Sequence, residues 1–226
     1  MSENNQNFLN QLAYFGGSIS GDPKSIKSKY QDLEDFVILA TQHMSDDPRI
    51  THCFLTWLEF YGNLLSPAKI RKLLGSRKYN SVVLGAFVSI LKCVSLRKDQ
   101  WNILLPFIKK TTHQTLFPNF PSPKQSLNPH FKSVGLIAHL FSSEPKKFLI
   151  ALPFILNNCP EIKYRAIGIG TVIADLRSFL EKESPQSLYE IAKKTHHFRA
   201  QIYLNYKVLS QFGLFDGSLL KQKSAA

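Results

Sequence analysis

Carboxylates are scarce in this chain: its 226 residues carry 16 Asp plus Glu against 28 Lys plus Arg, a formal charge of +12. Cysteine is scarcer still. Cys53, Cys93 and Cys159 are odd in number and sit among apolar residues. That excludes a disulfide scaffold and reads as buried thiols of a reducing compartment. Apolar runs of about 18 residues, the length a membrane-spanning helix needs, are missing. The nearest approach, 148–157, is too short and contains Pro153. The segment 1–10 has neither a basic n-region nor an apolar h-region, so no secretory signal is expected and a cytoplasmic protein is the expectation.

The chemistry of metals and phosphate loops is equally thin. Neither His-Glu-x-x-His nor Cys-x-x-Cys occurs. No metal and no cofactor are expected. Gly168-Ile-Gly170 is the nearest thing to a Gly-rich loop, and it reads as small residues packed inside a helix. His196–His197 reads as a turn with one ring packed inward. Asp46–Asp47 and Glu181–Glu183 read as helix caps and solvated ends. Strand-like alternation is absent until, faintly, 214–220.

What is present is helical periodicity in a chain that is 44% hydrophobic, ample for a core. Leu33, Phe36, Val37 and Ala40 repeat at three to four residues. Asp47–Pro48 opens a second helix lined by Ile50, Phe54, Trp57, Leu58 and Tyr61. Ser66–Pro67, an N-cap followed by Pro at the first helical position, opens a third that ends near Gly75. Further helical patterns run over 81–93, 98–110, 131–141, 145–157, 161–181, 187–195 and 199–212. The expected class is mainly α, a multi-helical arrangement of packed helical pairs with helix-turn-helix-like units. The expected division is a loose N-terminal arm at 1–25, with Phe8, Leu9, Leu12 and Tyr14 able to dock a short helix there, a basic helical subdomain at 26–117, a Pro-rich loop at 118–129, and a C-terminal helical subdomain at 130–226. Within it, Ile103-Leu-Leu-Pro-Phe-Ile108 matches Ile150-Ala-Leu-Pro-Phe-Ile155. Two readings stay open for that match: HEAT-type helical pairs, or unrelated amphipathic helices that share common residues.

The charge is unevenly placed. Between Gly62 and Lys132 lie twelve basic residues against Asp99 alone, a local +11 of the total +12. A solvated face normally mixes signs, so this asymmetry points to a polyanion. Candidate phosphate contacts are Lys69, Arg71 and Lys72 on the third helix, Arg77 and Lys78 in the turn after it, and Arg97, Lys98, Lys109 and Lys110 beyond. The helix N-terminus near Asn80 and Ser81 offers backbone amides to a further phosphate.

The C-terminal segment carries the best motif. A helix over 187–195, a turn at 196–198 and a second helix over 199–212 fit a helix-turn-helix. Leu188, Ile191 and Ala192 would face Ile202, Tyr206 and Leu209, leaving Arg199, Gln201, Tyr203, Asn205 and Lys207 for a DNA groove. Glu190-Ile191-Ala192, Lys207-Val208-Leu209 and Gly213-Leu214 make these roughly 30 residues resemble bacterial winged-helix regulators. The resemblance implies a winged-helix or helix-turn-helix fold and a transcriptional regulator. His196 stands where the family's turn glycine falls, and only 215–226 remain for a wing. A looser helix-turn-helix spans 51–61, 66–74 and 81–93; its third helix is apolar and suits packing better than base readout.

The expected function is therefore non-enzymatic binding of double-stranded DNA, with phosphates held by the central cluster and readout from the C-terminal helix. A helical scaffold for an acidic protein partner is the alternative. A HEAT-like DNA glycosylase, using Asp99 beside Trp101, is the remote one, and its signature motifs do not occur.

Overall fold

The structure, a computed structural model, describes residues 3–118, 127–138, 148–215 and 219. It is mainly α. Eleven α-helices are described, and the cap residues account for most of their starts. α1 is Glu3–Tyr14, α2 Leu33–His43, α3 Pro48–Tyr61, α4 Pro67–Leu74 and α5 Ser81–Val94. After them come α6 Pro129–Lys132, α7 Leu152–Asn158, α8 Pro160–Ala166, α9 Thr171–Lys182, α10 Leu188–Lys194 and α11 Arg199–Gln211. Side-chain oxygens of Asp32, Asp47, Ser66, Asn80, Asn128 and Ser187 accept first-turn amides of α2, α3, α4, α5, α6 and α10. Each such cap contributes about 1 kcal/mol. Proline near the first position of α3, α4 and α6 adds a preset φ. No helix among the described residues is long and apolar enough to cross a membrane.

Two hydrophobic cores divide the chain. The first gathers α1 to α5 with residues from 101–162, around a ring cluster of Phe8, Phe15, Phe36, Phe54, Trp57 and Phe87. Trp57 is fully buried, and its indole Nε1 donates to the Phe15 carbonyl at 2.9 Å. The N-terminal segment is not loose here but docks a helix through Phe8, Leu9, Leu12 and Tyr14. Phe8, Leu12 and Phe15 are wholly buried, because α1 lays its apolar stripe on α2. The second core is small: Leu176, Phe179, Leu188, Ile191, Ala192, Ile202, Tyr206 and Leu209 from α9, α10 and α11, plus Tyr30. Tyr30 is the one buried member drawn from the N-terminal half. Along the chain the first core's buried members run to Ile162 and the second core's resume at Leu176. Of the Pro-rich loop, 119–126 lie outside the described residues.

Four expected helices differ. Residues 98–110 form a 3-10 helix at Lys98–Phe107 that contains Pro106, which has no N–H to give an α-helical bond. The matching hexapeptide 150–155 instead enters α7 at Leu152. The two similar hexapeptides therefore take different conformations. The helix expected over 145–157 thus starts late, with 145–147 outside the described residues. The helix expected over 131–141 stops at Lys132, and Gly135 turns with φ +83. A Cβ there would meet the Thr111 carbonyl oxygen at 1.7 Å, so only glycine fits. Leu136–Ile137 (β2) then pairs in parallel with Gln114–Thr115 (β1). Finally, 161–181 is two helices, because Gly168 and Gly170 take φ of +75 and +84 between α8 and α9. These glycines break the helix rather than pack inside it. The faint strand at 214–220 falls mostly outside the described residues.

Candidate functional site

The first surprise of the charge map lies inside the molecule. Lys69, expected on a phosphate, is 4% exposed and lies between the two cores. Its ammonium sits 2.7 Å from Asp32 Oδ2, 3.3 Å from Glu34 Oε2 and 2.5 Å from Asp175 Oδ2. The expectation for Lys69 is corrected on steric and electrostatic grounds: a side chain with three carboxylates around it has none of its charge left for DNA. Arg165 completes the cluster. Its guanidinium spans Glu34, with Nη1 and Nη2 at 2.5 and 2.8 Å, and Asp175, with Nε and Nη2 at 3.1 and 2.6 Å. His197 Nε2 lies 2.9 Å from Asp175 Oδ2. This bears on the turn: one of the two histidines is packed inward, tied to α9.

The cluster joins α2, α4, α8, α9 and the α10–α11 turn, so it locks the second core onto the first. Asp32, Glu34 and Asp175 lie close enough together to hold a cation. The two buried cations of the protein's own already fill that space. A second tie runs beside it. Glu161 Oε2 accepts from the Tyr14 hydroxyl at 2.8 Å, while Oε1 accepts from Lys182 at 2.7 Å and from the Gln31 amide at 2.9 Å. The Tyr30 amide donates to Glu183 Oε1 at 2.9 Å. Residues 29–34 therefore form a strap gripped from the C-terminal side.

Three carboxylates against two fixed cations leave one negative charge in excess. Burial pushes Asp32 up to about 7; Lys69 opposes this, while Glu34 and Asp175 add to it. Burial alone would also raise Asp175 and Glu34, yet Arg165 and Lys69 overrule it and hold both below the usual carboxylate range. The linkage has two opposite limbs. Asp32 binds its proton more tightly when folded, so its contribution is complete below about pH 4 and is lost as pH rises through about 7. Asp175 and Glu34 contribute above their unfolded values, and that is lost in acid. Asp32→Asn keeps an N-cap and leaves two carboxylates for two cations. Its stability relative to the wild type is expected to rise between about pH 4 and 7, by up to about 1.4 kcal/mol per pH unit, and to level off above that. Urea unfolding at several pH values measures this, and a pH-independent difference contradicts it.

The outer surface shows where the charge and the helix-turn-helix meet. Lys72 Nζ donates to the His196 carbonyl at 2.8 Å and stands 4.3 Å over the Phe198 ring. Arg77 pairs bidentately with Asp35 at 2.7 and 2.8 Å, and its Nη2 lies 3.5 Å from His196 Nε2. The turn is built as expected, with His196 at φ +57, the left-handed position a glycine usually takes. Arg71, Lys72, Lys78 and Arg199 are exposed around this junction. Lys109 joins them, since its amide donates to the Ser81 carbonyl at the start of α5, and Lys110 follows it. Arg97 and Lys98 follow the C-terminal end of α5, about 20 Å along that helix from Ser81 at 1.5 Å rise per residue, where the 3-10 helix that packs on α4 begins.

Other expected contacts are placed differently. Asn80 Oδ1 already accepts the amides of Val82 and Val83, so the α5 N-terminus has little left for a phosphate. On α11, Ile202, Tyr206 and Leu209 are buried, so the side opposite them is outermost. Leu204 and Lys207 lie there, both exposed. Gln201 is exposed at the edge of that face. Tyr203 is half-buried against the second core, and Asn205 Nδ2 donates to the Gln201 carbonyl at 2.8 Å. Trp101 is fully buried and Asp99 exposed, so the aromatic-and-acid pair of a glycosylase surface is not formed. A cavity of about 390 Å³ opens beside the junction, lined by Asp35, Gln42, Arg77, Lys78, Lys194 and His196 among others.

Compared with known protein families, curated proteins and solved structures, the chain matches none. Its function is therefore read from its own residues. Sequence reasoning missed Asp32, Glu34, Arg165 and Asp175 as a functional cluster. The signal was there in part: Asp175 sits between Ala174 and Leu176 on an apolar helix face, where an unpaired acid is costly.

Proposed function

We propose that this protein binds double-stranded DNA through its phosphates, using the surface where α4, the turn into α5 and the N-terminal end of α11 adjoin. The observation that carries the reading is Lys72 bridging to the α10–α11 turn, because it brings two basic segments more than 100 residues apart into contact. Arg71, Lys72, Lys78, Lys109, Lys110 and Arg199 supply cations there, while the buried ion cluster holds the two segments in register. Backbone grip without base readout is the natural mode: phosphate contacts fix position, and α11 presents an apolar rather than a hydrogen-bonding outer face. A role as a transcriptional regulator follows from the winged-helix resemblance and is part of the same proposal.

If about four phosphates are engaged, log affinity for a mixed-sequence duplex falls against log salt with a slope of about −3.6. Fluorescence anisotropy between about 50 and 200 mM salt measures the slope. Binding that ignores salt, or none at low salt, overturns the reading.

A further inference from the structure

The outer face of α11 carries Leu204, Val208 and Phe212 at i, i+4 and i+8, exposed by 60%, 45% and 77%. Leu214, half exposed, follows the helix end. Large side chains in such a line on one helix face fit the helix-in-groove mode of recognition, in which apolar anchors recur every three to four residues. Scattered exposed hydrophobics are ordinary; a continuous line of three over two turns is not.

The charge beside the line selects its partner. The α10–α11 hairpin carries Lys193, Lys194, Arg199 and Lys207 against Glu190 alone, and Glu190 is already committed to the Gln186 amide at 3.0 Å. Lys207 lies one turn from Leu204 and beside Val208. We propose that this face docks an acidic amphipathic helix of another protein, its Leu-type anchors over Leu204, Val208 and Phe212 and its carboxylates toward Lys207. A second copy of this chain suits the face poorly, since its hairpin brings the same positive sign. A bilayer suits it poorly too: interfacial helices bury a broad apolar face, and this one is a single side chain wide. The docking face is independent of the phosphate-binding surface, so each can fail without the other.

The probe is a labelled, stapled helical peptide with Leu at three- and four-residue spacing and Glu elsewhere, titrated with the full-length chain by fluorescence anisotropy. Wild type is expected to bind it, and Leu204→Ser with Val208→Ser to weaken binding at least about tenfold. Lys207→Glu weakens it as well, and the same peptide with Lys in place of Glu does not bind. Both altered side chains in the double variant are exposed, so its thermal melt and its DNA affinity stay at wild-type values. The proposal is overturned if the peptide fails to bind below millimolar concentration, or if the double variant binds it unchanged. It is equally overturned if phosphatidylglycerol vesicles capture the wild type but not the variant, or if sedimentation equilibrium finds a dimer that the variant lacks.

Discussion

Arg165→Ala is expected to cost about 3–5 kcal/mol, the loss typical of removing one partner from a buried ion pair. Alanine leaves Glu34 and Asp175 to share Lys69, with only the Ser66 amide on Glu34 and His197 on Asp175 besides, and the lone pairs that Arg165 held are sealed from water. It also frees the Leu64 carbonyl, which Arg165 Nη1 holds at 3.1 Å. Domains of this size are stable by roughly 5–15 kcal/mol, so the variant sits near unfolding. Arg165→Lys is expected to fall between, because an ammonium keeps the charge but cannot fork across two carboxylates. Urea unfolding followed by circular dichroism gives the size of the loss. Hydrogen exchange gives its place: protection in 171–211 is expected to fall before that in 33–94. A loss below about 1 kcal/mol would mean that the cluster does not lock the cores.

Arg71→Glu with Lys78→Glu is expected to weaken duplex DNA binding more than about a hundredfold at low salt, because each reversal removes an attraction and adds a repulsion. The Ala pair is milder and lowers the salt slope by about 1.8 if both residues meet phosphates. Both side chains are exposed, so the fold is expected to stand; the thermal melt checks that. The loss is expected to be uniform across duplex sequences. A loss confined to one sequence would make these residues base readers and contradict the proposed grip. The same substitutions at Arg97 and Lys98, at the far end of α5, are expected to do much less.

Helix starts were legible because capping is a local event. Asp47–Pro48 and Ser66–Pro67 state their role within two residues, and the structure places α3 and α4 there. The α10–α11 hairpin was legible for the same reason: its apolar spacing, caps and turn are close together. The apolar face of α4 was also open to view. Lys69 lies four residues before Leu73, on the buried side of that helix, and periodicity alone would have placed it inward. Bulk charge pulled the other way, because a sum over a segment says nothing about which cation faces water. The ion cluster was hidden more deeply. Asp32 and Glu34 resemble ordinary first-turn acids of α2, and their partners lie far along the chain.

That distance has a consequence for how the protein comes into being. Glu34 meets Arg165 across 131 residues, Lys69 meets Asp175 across 106, and the Tyr30 amide meets Glu183 across 153. Contacts this remote in sequence are closed late, since the loop entropy is spent before they form. On the ribosome the strap emerges with Lys69 as an early counter-ion, long before Arg165 exists. A nascent chain halted before Arg165 holds the larger aromatic core with Asp32 and Glu34 sharing Lys69 and Glu34 lacking its guanidinium partner, a species suited to a chaperone rather than to stable existence. The last quarter of the chain is thus a closing step for the whole, not an appendage to be trimmed or transplanted.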